Sequence, residues 1–369
     1  MVKIKLYLGF VFVLFLVWLV AWPQSLKAVS VWGRGGSKVQ ANCDQTSVGL
    51  MPISQLGQGL YLGYEGGLYP NGSNTRPEPH NQAGLAIAQA AQPLDPAGQP
   101  DPQHGKLVFL SIGMSNTNQE FGAFKHIIAP QPELVLINGA IGGADAATIA
   151  DPNAPYWGMV EGKLANSGLT PAQVQFVWLK EALIGPSGSF LEHAQLLQGY
   201  LTIIAQIIHT RYPNSKIIYL ASRTYAGYAE STLNPEPYAY ESAFAVKWLI
   251  EAQINGDPAL NYNPDLGPVM APWLSWGPYL WADGLTPRSD GLTWQCSDFE
   301  GDGVHPSPAG EQKVAALLRN FFHSDPTAIP WFRDEQYPVY LPLLLNNFSY
   351  NDWLWNRQVW SNSFVASEN

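Results

Sequence analysis

Apolar residues come in short runs through the middle of this chain, at residues 106–112, 133–138, 173–178 and 216–221. A run without polar alternation is what a strand buried on both faces presents. Between the runs lie stretches with the i, i+3, i+4, i+7 spacing of a helix face, most clearly at residues 190–212 and again at 241–254 and 308–322. A fifth strand fits within residues 267–274. Parallel strands need long crossovers and cover on both faces, so the alternation predicts an α/β fold: a three-layer α/β/α domain around a mostly parallel five-stranded sheet.

The flanks read differently. Residues 29–104 are rich in Gly, Pro, Asn and Gln, which predicts a loop-rich arm packed on the domain, with a short strand or two at 51–64 and an irregular loop at 93–103. The periodic domain spans 105–323. Within it the Pro- and Tyr-rich stretch 225–240 is long for a connection, as a lid or a substrate-lining loop would be. Residues 324–369 form an aromatic C-terminal extension whose apolar stretch 339–345 is too short to span a bilayer. At the other end, Lys3 and Lys5 precede an apolar run over 6–22, then Pro23 and a small-residue site near Ala28. Residues 1–28 therefore read as a signal peptide or an uncleaved N-terminal anchor, and either implies export, to the medium or the cell envelope.

Composition narrows the partners. With 369 residues, 46% of them hydrophobic and 13% charged, the chain has enough apolar residues for one large domain with long loops. A formal net charge of -10 and the lack of any Lys/Arg cluster exclude a nucleic-acid partner, and a membrane contact is expected only through the N-terminal segment. Cys43 and Cys296 are the two cysteines. In an oxidising compartment they predict one disulfide; the alternative is two buried thiols. The seven histidines show no ligand-like pairing, so no metal and no cofactor is implied.

The chemistry concentrates at two places. Ser115 lies in Ser111-Ile112-Gly113-Met114-Ser115-Asn116, directly after an apolar run, where a strand would end and present a hydroxyl. Far downstream stands Asp302-Gly303-Val304-His305-Pro306. A serine hydroxyl attacks only when a histidine accepts its proton, and the histidine needs a carboxylate to fix its tautomer. Asp302 and His305 are close enough on one turn to make that pair, with Asp298 and Glu300 as alternatives.

This arrangement resembles the SGNH (GDSL-like) hydrolases over residues 105–322. Gly113-Met114-Ser115-Asn116 is similar to the Gly-Gln-Ser-Asn turn of the sialate and xylan acetylesterase branch. Ala140-Ile141-Gly142-Gly143 resembles that branch's Ala-x-Gly-Gly-Thr, with Ala144 in place of Thr. The resemblance implies a SGNH/flavodoxin-like fold and an oxyanion hole built from the Ser115 and Gly143 amides, Gly143 being preferred to Gly142. The third block departs from the pattern: Val177-Trp178-Leu179-Lys180-Glu181 lacks the amide donor. Lys180 stands nearest the vacant place, as an oxyanion donor or as a surface partner of Glu181. Asn116, Gly142, Trp178 and Arg223 are candidate substrate contacts, Arg223 for a substrate carboxylate. Tyr225, Tyr228, Tyr238, Tyr240, Trp273, Trp276, Tyr279 and Trp281 are candidates for a sugar-stacking platform, with core packing as the other explanation.

The expected function is that of an exported serine esterase removing small acyl groups, acetyl first, from a carbohydrate or other small ester. Two rivals stand beside it: a non-catalytic carbohydrate-binding or cell-envelope protein of the same fold, and a lipid esterase, for which a wide apolar cleft is expected.

Overall fold

The structure, a computed structural model, describes residues 41–332. The signal peptide or anchor at 1–28, the start of the arm and the apolar stretch 339–345 lie outside the described residues. One sheet contains β1 (Leu107–Gly113), β2 (Leu134–Asn138), β3 (Val174–Lys180), β4 (Ile217–Ala221) and β5 (Trp273–Trp276). Every pairing in it is parallel, in the order β2-β1-β3-β4-β5. All residues of β1, β3, β4 and β5 are buried, which is why these segments are mostly apolar on both faces. Helices α1 (Glu78–Gln89), α2 (Ser115–Ile127), α3 (Pro155–Asn166), α4 (Phe190–Arg211), α5 (Tyr238–Ile254) and α6 (Pro308–Ser324) flank the sheet in a three-layer α/β/α arrangement. Helix α2 packs on α6, and α4 on α5.

The strand order reverses at β1, with β2 on one side and β3, β4 and β5 on the other. In an open parallel sheet such a switch point leaves a crevice beyond the carboxyl ends of the strands. The segments that follow β1, β2, β3 and β4 all reach this crevice.

Two elements differ from expectation. The fifth strand starts at Trp273 because Pro272 has no N–H to give the ladder, and pairing begins where Trp273 donates to the Lys216 carbonyl at 3.0 Å. The arm contains α1, which its Pro and Gly content conceals. Gly84 is there for space: a Cβ would come within 2.3 Å of the Trp273 ring. The arm also covers the edge strand β5, through His80 Nε2 against the Leu274 carbonyl at 2.8 Å and Trp276 Nε1 donating to the Leu68 carbonyl at 2.7 Å. Near its start, Cys43 is disulfide-bonded to Cys296, their Cα atoms 5.4 Å apart. Among the described residues, no helix is long and apolar enough to cross a membrane.

Candidate active site

Strand β1 ends at Gly113 and α2 begins at Ser115, so the serine stands on a sharp strand-to-helix turn. The turn needs glycine at 113, where a Cβ would lie 2.4 Å from Thr117 Oγ1 and 2.5 Å from the Lys180 carbonyl oxygen. Three consecutive side chains of the first helical turn then bind three different neighbours. Asn116 Nδ2 donates to the Val304 carbonyl at 2.8 Å, Thr117 Oγ1 to the Lys180 carbonyl at 2.7 Å, and Asn118 Nδ2 to the Ala140 carbonyl at 2.7 Å. The serine turn is thereby tied to the histidine turn, to the end of β3 and to the loop after β2. Thr117 and Asn118 escape a reading of the sequence, because polar residues at a helix start look like ordinary caps. Asn116 forms part of the pocket wall, and through its bond to Val304 it also braces the two turns against each other.

Ser115 Oγ and His305 Nε2 lie 2.8 Å apart, and His305 Nδ1 lies 2.6 Å from Asp302 Oδ2. The second Asp302 oxygen accepts the backbone N–H groups of Val304 and His305 at 2.9 and 3.0 Å. Burial pushes the Asp302 carboxyl up, but the His305 side chain and those two N–H groups outweigh it and hold it below the ordinary carboxylate range. An ionised carboxylate at Nδ1 keeps the proton on that nitrogen and leaves Nε2 bare toward the serine. Gly303 makes the turn possible, with φ +70° and no room for a Cβ, which would meet the Tyr228 carbonyl at 2.3 Å. The alternative acids are elsewhere. Asp298 pairs with Lys313 and accepts from the Gln295 N–H at 2.7 Å, and Glu300 is exposed.

Gly143 has φ +80° and forms part of the pocket wall. Its N–H meets no acceptor among the described residues, and Ser115 N–H is one of the orphan amides that every helix start leaves over. Gly142 lies beside them, where a Cβ would stand 3.8 Å from Ser115 Cβ.

Lys180 departs from both readings offered for it. Its Nζ is held between the two carboxylate oxygens of Glu120 at 2.5 and 2.6 Å, with both side chains buried. It is not part of the pocket wall, and its partner is not Glu181, which is itself buried and accepts from the Ala182 N–H at 3.1 Å. Burial pushes the Lys180 ammonium down to about 8 against the pull of Glu120. Trp178 is likewise no substrate contact: it lies inside the sheet, stacked on Phe121 at 5.9 Å.

A pocket of about 230 Å³ opens over Ser115 and His305. Met114, Leu183, Ile184, Leu233 and Val304 make it largely apolar, and Arg223 and Asn234 add polar groups. Leu233 and Asn234 come from the long stretch after β4, which thus lines the pocket. Asn234, with φ +55°, carries no motif that marks it in the sequence. The aromatic platform does not form: of its eight candidates all but Tyr238 are buried, and none lines the pocket. These rings hold the arm instead, as when Tyr225, Tyr240 and Trp276 donate to the carbonyls of Gln45, Met51 and Leu68. Among the described residues, no cluster of His, Cys, Asp or Glu is arranged to hold a metal ion.

No protein-family profile and no curated protein matches the chain. Solved structures do. The periplasmic domain of a lipopolysaccharide acetyltransferase from Salmonella ser. Paratyphi A aligns at 15% identity and TM-score 0.33, over 59% of this chain and 84% of that one. The extracellular lipase of Streptomyces rimosus aligns at 13% identity and TM-score 0.31, over 58% and 99%. Similarity this distant says nothing about the chemistry of this chain.

Proposed function

We propose that this protein is an exported serine esterase of the SGNH type that removes small acyl groups, acetyl first, from a carbohydrate by an acyl-enzyme route. The observation that carries the reading is the hydrogen-bonded row Ser115, His305, Asp302, whose first two members line a pocket. As Ser115 Oγ attacks the ester carbonyl, His305 Nε2 takes its proton, and Asp302 stabilises the imidazolium. The charge that grows on the carbonyl oxygen is met by the Ser115 and Gly143 N–H groups. His305 then gives the proton to the departing alcohol, and water repeats the sequence on the acyl-serine.

Pocket size supports a short acyl group. The apolar wall supports, as a second reading, an ester of a lipid. Fluorophosphonate labelling followed by a series of p-nitrophenyl esters tests all of this. The wild type is expected to be phosphonylated and Ser115→Ala not, and turnover is expected to be fastest with acetate. No labelling of the wild type means a non-catalytic protein of this fold; rising rates toward long chains mean a lipid esterase.

A further inference from the structure

We infer that Arg223 makes this pocket a site for acyl esters of acidic sugars, whose carboxylate sits beside the scissile bond. The inference rests on the esterase reading for its reaction, though not for its anion site. Arg223 follows β4 at the carboxyl edge of the sheet, forms part of the pocket wall with Ser115 and His305, and is 2% exposed. Its guanidinium makes no hydrogen bond or ion pair with any described residue, and Nε is buried without a partner. A buried guanidinium in that condition is costly unless an anion completes it.

The protein has not supplied that anion. Four acids act on Arg223 through space: Glu120, Glu181, Glu236 and Asp302. Three of them are committed elsewhere, and Glu181, one of whose carboxyl oxygens is buried without a partner, forms no ion pair with Arg223. Glu120 clasps Lys180, and Asp302 holds His305. Glu236 accepts from Trp281 Nε1 at 2.7 Å and from the backbone N–H groups of Ala226 and Tyr240 at 2.9 and 3.0 Å. Burial pushes the Glu181 carboxyl well above its ordinary value, toward the neutral form. A small acyl group such as acetyl brings no charge, so the carboxylate belongs to the alcohol half of the ester. Asn234 adds a second condition. Its Nδ2 donates to the Leu183 carbonyl at 3.3 Å, which turns Oδ1 the other way, buried and without a donor. A hydroxyl near the carboxylate would satisfy it, and a uronic acid carries both groups.

The test compares kcat/KM for 3-acetoxybenzoate and for phenyl acetate, which differ by one carboxylate on the alcohol side. The wild type is expected to favour the charged ester by about 10-fold or more, the worth of one charge-assisted hydrogen bond. In Arg223→Gln the ratio is expected to fall to near one, whatever the absolute rates. Arg223→Lys, which keeps the charge without the planar fork, is expected to fall between and serves if the Gln variant does not fold. A wild-type ratio of one or less, or a ratio unmoved by both variants, overturns the inference. Should neither ester be hydrolysed, the esterase reading fails and calorimetric titration with 3-hydroxybenzoate decides the anion site. Binding at least 10-fold weaker in the variants upholds it, and no binding to the wild type, or equal binding, ends it.

Discussion

Lys180 and Glu120 are 60 positions apart in the chain and 2.5 Å apart in space. Nothing local in the sequence announces such a pair, so Lys180 next to Glu181 reads as a surface neighbour or a stand-in donor. Asp302 and His305 are legible for the opposite reason: three positions apart, they meet within one turn. The buried pair makes Lys180 a structural residue. Lys180→Met leaves the Glu120 carboxylate buried and uncompensated, so native stability is expected to drop by ~3 to 5 kcal/mol, read from urea unfolding. The double variant Lys180→Met with Glu120→Leu is expected to regain most of the loss, because two apolar side chains replace two charges. An oxyanion role would give another pattern, a fall in kcat with unfolding unchanged.

Elements were more legible than contacts. Strands buried on both faces leave an unmistakable mark, and β1, β2 and β4 fall within a residue or two of their apolar runs. Helix α1 left none, because its glycine serves packing against Trp273 and not chain reversal. The stretch between β4 and α5 was legible as long, as a lid or a substrate-lining loop would be, and Leu233 and Asn234 of it line the pocket. Glu236 anchors that stretch through its three N–H donors, yet burial pushes its carboxyl up to about 7. The folded protein then keeps a proton that the unfolded chain, with a value of 4.5, has released. Stability from this group is complete below the unfolded value and is lost as pH rises through the folded one. Urea unfolding at about pH 5 and about pH 8 is expected to show the wild type losing on the order of 2 kcal/mol more than Glu236→Gln, a figure that allows for the partial exposure of Glu236. Equal losses in the two proteins would mean that Glu236 titrates as an ordinary acid.

At the scale of the molecule, the crevice follows from the strand order, which reverses at β1. The arm was harder to read. Its aromatic partners sit 180 or more positions downstream, and a tyrosine that pins a distant backbone carbonyl has the same signature as one waiting for a sugar. The Cys43–Cys296 bond joins arm and histidine turn across a sequence separation of 253. In topological terms it turns the polypeptide into a closed ring with two tails; the whole sheet and the serine belong to the ring, and Val304 and His305 of the pocket wall to the C-terminal tail. A ring survives one cut. A protease site inserted at the exposed Thr232 and cleaved to completion is expected to leave a single species of full mass on a non-reducing gel, and two fragments once reductant is added. Two fragments without reductant would show that the ring is open in the protein. While it stays closed, nicked and intact molecules keep the same covalent connection between the two halves of the site, so a protease that reaches the pocket loop does not separate the nucleophile from its base.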